Sequence, residues 1–168
     1  MEHQISEDIR LTPIHLDYIP QMFDAFDHDV IQYLPLDEPP SHLDETRAFV
    51  EHSITQMDQG KDLVWVILQQ GKFAGCCGIH SIPSKQPHFG LWIKKEAQGQ
   101  GIGRKVVQFV LDWGISNLEV DYIKYPVDNR NAKSIKLIEN LGLQLADHYP
   151  MGTAKKLEVD EYRLYKSS

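Results

Sequence analysis

Apolar positions recur with two different periods along this chain, and the period changes where glycines and prolines cluster. Residues 9–14, IRLTPI, read as a short strand. From His15 to Phe26, Leu16, Ile19, Met22, Phe23 and Phe26 fall at helical spacing, which predicts a helix over that stretch. A turn-rich loop, LPLDEPP at 34–40, follows. Ser41 with Asp44 three residues on resembles a capping box. The helix it predicts carries Phe49, Val50, Ile54 and Met57 to the core and stops near Gly60.

The period then shortens to two. DLVWVILQQ (62–70) is rich in β-branched and aromatic residues and predicts a strand. QQGK is a hairpin turn, and KFAGCCGIHSIP (72–83) is the return strand, its glycines pointing to a bulge or a close approach. SKQP turns the chain into a third strand, HFGLWIKK (88–95). Helical spacing returns with Ile102, Val106, Phe109, Val110, Trp113 and Leu118. YIKYPVD (122–128) is a strand in which Pro126 removes one ladder hydrogen bond. Asn131 caps a helix with apolar face Ile135, Ile138 and Leu141, and Gly142 follows as its C′ residue. LQLADHY and LEVDEYRLYK are the last two strands. The order β-α-α-β-β-β-α-β-α-β-β predicts an α/β or α+β, three-layer fold around a mixed sheet.

The 168 residues suit a single domain, 1–168, with a substantial core. A net charge of −7 argues against a nucleic-acid partner and is compatible with cationic ones. No apolar run approaches a membrane span, and the polar, acidic start MEHQISEDIRLTPIH is not a secretory leader. Cys76 and Cys77 are adjacent, so in a strand they point to opposite faces and cannot readily pair with each other. These features fit a cytoplasmic enzyme. No histidine or cysteine spacing suggests a metal site.

The chemistry concentrates at EAQGQGIGRK, 96–105, a glycine-rich turn that opens a helix. Such turns hold phosphate, because glycine lets the backbone approach and the first helical N–H groups are free. Two phosphate patterns fail: no Gly-Lys-Ser/Thr occurs, and the third site of G-x-G-x-x-G is Arg104. Gln98-Gly99-Gln100-Gly101-Ile102-Gly103 does match Q/R-x-x-G-x-G/A. It follows an antiparallel meander, and NAKSIKLIENLGL begins about 30 residues later.

With these two motifs the chain resembles the GCN5-related N-acetyltransferases (GNAT family) over nearly its whole length. The Asn131-x-x-Ser134 start and the IRLTPIHLDYIPQMF opening resemble the branch that acetylates ribosomal-protein N-termini. The resemblance implies a three-layer α-β-α fold with a mixed, mostly antiparallel central sheet. It also implies acetyl-CoA as co-substrate and direct acetyl transfer to a primary amine, such as a protein or peptide N-terminus or a small-molecule amine. The pyrophosphate would lie on residues 98–103, with Arg104 and Lys105 as candidate counter-charges. A backbone N–H among Trp92, Ile93 and Lys94 would polarise the thioester carbonyl, and Asn131 would bond the pantetheine arm.

Two departures from the family pattern bear on catalysis. Where many relatives carry a glutamate base, the corresponding residue is His88, an imidazole able to accept a proton near neutral pH. Where many carry a tyrosine acid, the residue is Ile138, which leaves Ser134 as the candidate donor to the departing sulfur. These losses keep a second reading open, an acyl-CoA-binding sensor without turnover. At the acceptor end, Asp37 and Glu38, with Asp44 and Glu45 nearby, form an acidic cluster suited to a cation. Tyr33, Trp65 and Tyr125 are aromatic candidates for its wall. A monomer or homodimer is expected.

Overall fold

The period-two stretch at its centre folds as a tight hairpin. Strands β3 (Leu63–Gln69) and β4 (Lys72–His80) are joined by Gln70 and Gly71, whose φ values of 50° and 77° give the two-residue turn that suits strand twist. The computed structural model describes residues 1–167. The other strands are β1 (His3–Gln4), β2 (Ile9–Pro13), β5 (His88–Ile93), β6 (Tyr122–Asp128), β7 (Gln144–Met151) and β8 (Leu157–Tyr165). Together they form one eight-stranded sheet of order β1-β2-β3-β4-β5-β6-β8-β7, antiparallel except between β5 and β6. Helices α1 (Ile19–Ala25) and α2 (Leu43–Asp58) cover one face, and α3 (Ile102–Asn117) and α4 (Ala132–Asn140) the other. The mixed α/β three-layer expectation is met.

Each face has its own apolar layer. Ile67, Cys77, Ile79, Phe89 and Ile123 meet Val106, Val107, Val110 and Ile138 on the α3/α4 side. Val64, Val66, Leu68 and Cys76 meet Ile19, Met22 and Val50 on the other. Cys76 and Cys77 therefore divide between the faces, and burial keeps both thiols protonated. Burying each such valine, leucine or isoleucine contributes about 1.5–3 kcal/mol, so these two layers hold the sheet between its helices. The β4 glycines mark close approach, as expected: the register shifts beside Ala74, and a Cβ on Gly75 would overlap the Trp92 carbonyl oxygen.

Several boundaries differ from the sequence expectation. The helix over 15–26 is two pieces, a 3₁₀ turn at Leu16–Tyr18 and then α1. Pro20 fits only the first turn of an α-helix, so α1 starts around it. Ser41 does not cap α2. His42 holds the cap position, and the Ser41 N–H donates to Glu45 Oε2 at 2.9 Å, so Glu45 rather than Asp44 answers it. Phe49 is 45% exposed instead of buried, because α2 turns Val50 to the sheet. Strand β1 and a 3₁₀ turn at Val30–Tyr33 are additional. The α4 terminus is as expected: Gly142 has φ 88°, its N–H bonds the Glu139 carbonyl, and the Leu143 N–H bonds the Ile138 carbonyl.

Candidate active site

Strands β5 and β6 pair at one position, His88 with Lys124, where the Lys124 N–H donates to the Pro87 carbonyl at 2.8 Å. Main-chain donors alternate sides along a strand, so the position of Pro126 faces β5 as well. Proline has no donor to place there. The missing ladder bond thus lies on the β5 side, beyond the last β5–β6 pair, and a gap opens between the two strands.

The β5 wall of the gap carries free main-chain groups. Lys94 N–H is bonded to the Ala74 carbonyl at 2.8 Å, so it points to β4, and by alternation so does Trp92 N–H. Leu91 and Ile93 point the other way. Of the three residues from Trp92 to Lys94, only Ile93 turns its N–H into the gap. The Gln98 amide donates to the Ile93 carbonyl at 2.9 Å, which ties the glycine turn to the end of β5.

That turn is a nest of donors. Gly99 and Gly101 have φ of 79° and 78°, and Gly101 caps α3. Among the described residues, no protein acceptor receives the N–H groups of Gly99, Gln100, Gly101, Ile102, Gly103 or Arg104. A Cβ placed on Gly99 or Gly101 would meet nothing within 4 Å, and one on Gly103 would meet Leu91 Cδ2 at 3.8 Å. The turn is therefore open on that side and not filled by the protein's own packing. Free donors at the positive end of a 16-residue helix suit a diphosphate. Arg104 and Lys105 are exposed on the first turn. Gln100 accepts from Gln69 Nε2 at 2.9 Å and does not enter the nest with its side chain.

The β6 wall is completed by α4. Buried Asp128 accepts from Arg130 Nε and main-chain N–H, at 3.1 and 2.9 Å. These bonds outweigh burial and hold its carboxyl below the ordinary range. They close the tight turn between β6 and α4. Asn131 Oδ1 caps α4 by accepting from Ser134 N–H at 3.3 Å. Ser134 Oγ lies 3.1 Å from the hydroxyl of Tyr125, a buried β6 residue. Burial raises the Tyr125 pKa, against the Ser134 bond, so the phenol keeps its proton at neutral pH. Phe89 stacks on the Tyr125 ring with centroids 5.4 Å apart.

His88 stands at the closed end of the gap on the opposite face, since it alternates with Phe89. Withdrawal from water, then the charges of His80 and Lys124, hold its imidazole below its ordinary pKa, against Asp62 and Glu161. It is neutral near pH 7. The His80 ring stacks on it at 5.1 Å, and His80 Nδ1 is 3.0 Å from Asp62 Oδ2.

The acidic loop is divided in its uses. Asp37 spends both oxygens on the β7–β8 turn, accepting from Thr153 Oγ1 at 2.7 Å and Lys155 N–H at 2.6 Å. Tyr33 lies beneath the Arg130 guanidinium at 5.9 Å. Glu38 is exposed, 3.6 Å from His28, and borders a cavity of about 390 Å³. Met22, Phe26, Leu36, Pro40 and Phe49 make that cavity apolar, with Glu38 and Glu45 as its charges. Phe26 meets Trp92 of β5 edge-on at 4.9 Å, linking the cavity to the gap. Trp65 is core, its Nε1 donating to the Met1 carbonyl at 3.2 Å. Among the described residues no group of histidine, cysteine and carboxylate side chains could hold a metal.

Sequence reasoning left two partnerships unseen. Tyr125, expected as an aromatic of the acceptor wall, lies instead on the α3/α4 face against Ser134, because it alternates with Lys124 and shares the face of Ile123. Asp62 and His80 lie 18 positions apart, and only the β3–β4 hairpin brings them together.

Comparison with known proteins agrees with this geometry. The family description "Acetyltransferase (GNAT) domain" matches residues 8–144. An uncharacterized N-acetyltransferase, p20, from Bacillus licheniformis is 22% identical over 147 residues, 83% of this chain and 82% of that protein. A ribosomal L7/L12 alpha-N-protein acetyltransferase solved with coenzyme A superposes with a TM-score of 0.85, at 20% identity over 98% of each chain. Spermidine N-acetyltransferase from Vibrio cholerae, solved with CoA and spermine, gives 0.81 at 18% identity, over 96% of this chain and 97% of that one. The fold, the glycine turn and a family match across most of the chain converge on one assignment: the protein is an acetyltransferase and belongs to the GNAT family.

Proposed function

We propose that this acetyltransferase moves an acetyl group from acetyl-CoA directly to a primary amine, either a protein or peptide N-terminus or a small-molecule amine. The observation that carries this reading is the run of six unpartnered N–H groups from Gly99 to Arg104, beside the gap between β5 and β6. Acetyl-CoA is the donor. Its pyrophosphate fits the nest, and its pantetheine arm fits the gap, within reach of Asn131. Ile93 N–H faces the place where the thioester oxygen gains charge. Ser134, backed by Tyr125, stands on the α3/α4 face to protonate the leaving sulfur. The imidazoles at the closed end of the gap, His88 among them, stand on the α1/α2 face where the amine arrives. Acid and base on opposite faces suit a single direct displacement.

On the acceptor side, Glu38, exposed beside His28 at the rim of the cavity, draws the cation, while Asp37 and Tyr33 shape the loop that carries it. Relatives with the same fold are described with a ribosomal-protein substrate and with spermine, both of which present amines. The chain works in the cytoplasm as one domain, alone or as a homodimer.

Thermal shift with acetyl-CoA, CoA and ATP in parallel tests the site. A ligand at 100 times its Kd stabilises by about 2.7 kcal/mol. A rise of several degrees with both coenzyme forms and none with ATP is expected. Thiol release with an amine panel then separates an enzyme from a sensor: binding without release sinks the transfer reading, and no shift with either coenzyme sinks the site.

A further inference from the structure

We propose that His80, held by Asp62, is the base that takes the proton from the acceptor amine; this inference rests on the acetyltransferase reading above. Asp62 sits where the α2–β3 turn enters the sheet and is only 9% exposed. One of its oxygens lies 3.0 Å from His80 Nδ1, and the other accepts the Ser81 N–H at 3.0 Å. Burial alone would raise this carboxyl, but these bonds and the nearby imidazoles outweigh it and hold it ionised. A carboxylate accepts only, so the His80 proton belongs on Nδ1 and the lone pair on Nε2.

Nε2 is then placed by glycines. A Cβ on Gly78 would stand 2.9 Å from it, and one on Gly90 of β5 would stand 3.9 Å from it. The ring lies in a slot that any side chain at position 78 would close. Gly90 immediately precedes Leu91, whose N–H faces the gap. The lone pair is thereby carried from β4 across to the strand that lines the reaction site. The His80 side chain is 28% exposed, so an amine or one bridging water can reach it.

His88 lacks this preparation, since among the described residues no carboxylate is bonded to its ring. Its neutral ring stacks on His80, and Lys124 of β6 lies beside it. The charged and titratable groups facing the pair are Asp62, His88, Lys124 and, from β8, Glu161. Asp62 is the one in direct contact with His80, and it stabilises the imidazolium that forms.

The step balances as follows. His80 Nε2 takes one proton from the ammonium. The freed nitrogen pair forms the C–N bond, and the C–S bond breaks with its pair on sulfur. The nitrogen loses a second proton as the amide forms, while sulfur gains one through Ser134. One proton is released per turnover.

The test compares His80→Gln, Asp62→Asn and His88→Asn by thiol release from acetyl-CoA, with spermine and with a peptide bearing a free N-terminus. His80→Gln should keep the Tm and CoA affinity but lose about 10²–10⁴-fold in kcat/KM at pH 7. Its rate should climb with pH where the native rate has levelled. His88→Asn removes the ring stacked on His80 and should lower the rate less than His80→Gln while keeping the acidic limb, and Asp62→Asn should lower the rate. As an independent readout, nitrogen-detected NMR of His80 at pH 8 should find its proton on Nδ1. A proton on Nε2, an undiminished His80→Gln, or an acidic limb that vanishes with His88 instead would overturn the assignment. A native protein that binds CoA yet acetylates neither probe would sink the amine-transfer reading itself, and His80 with it.

Discussion

The Tyr125 hydroxyl lies 3.1 Å from Ser134 Oγ, joining β6 to the first turn of α4. A tyrosine from the strand thus backs Ser134, the proposed proton donor, while position 138 of α4 is isoleucine. Tyr125→Phe keeps the ring that stacks on Phe89 and removes the hydroxyl behind the serine. It is expected to cost about 1 kcal/mol of stability and to lower kcat with little change in the KM for acetyl-CoA. Ser134→Ala should lower kcat further. If the hydroxyls act as a unit, the double variant will be no slower than Ser134→Ala alone. Additive losses would assign Tyr125 to packing only.

Gly103→Val tests the nest without disturbing the fold. A Cβ there makes ordinary contact with Leu91 Cδ2, at 3.8 Å. Unlike Gly101, this glycine does not have positive φ, so no backbone strain is added. The valine branches instead fill the approach to the helix N-terminus. The Tm of the free protein should stay within about 0.5 kcal/mol-equivalent of native, while the thermal shift given by CoA disappears. A retained shift would place the pyrophosphate elsewhere.

Asp37 and Glu38 are neighbours with different work. Glu38→Gln should raise the KM for a cationic acceptor several-fold and leave that for acetyl-CoA unchanged. Asp37→Asn should instead loosen the β7–β8 turn, because Thr153 and Lys155 lose a charged acceptor. The carboxyl is held below its ordinary value by the bond from Thr153 first and then that from Lys155. Its contribution is therefore present at neutral pH and fades as pH falls below the usual carboxylate range. Limited proteolysis near Gly152 at pH 7 reads the loosening, and equal behaviour of both variants would refute the division.

The contrast between Gly103 and Asp62 explains how far the sequence could be read. The glycine turn, the Asn131 cap and the Gly142 stop are local devices whose geometry is decided within a few residues, so their spelling survives in the sequence. The strands of the meander likewise follow from period and turn residues. His80 and Asp62, Tyr125 and Ser134, and Asp37 and Thr153 are pairs made by tertiary packing, and neither partner is unusual alone. Phe49 sits on the helical spacing of a core residue, yet it opens on the cavity because the loop at 34–40 leaves it uncovered.

His3 supplies a pH dependence of stability separate from the active site. Its ring centroid lies 5.8 Å from Trp65, 5.3 Å from Phe109 and 5.3 Å from Trp113, and its Nε2 is buried with no hydrogen-bond partner. Burial first, and the N-terminal charge second, lower its pKa. The folded chain therefore holds His3 neutral where the unfolded chain would protonate it. The unfolded state binds more protons below about pH 6.5, so stability is intact above that pH and is lost as pH falls. His88, also lowered, adds in the same direction; His148 is raised by Asp160 and Glu158 and opposes it. The difference between native protein and His3→Phe isolates the single group. Phenylalanine keeps the aromatic packing and cannot take a proton. The variant should lose fewer degrees of Tm than the native chain between pH 8 and pH 5.5. Parallel losses would mean that β1 releases His3 to water at no cost before the rest of the sheet unfolds.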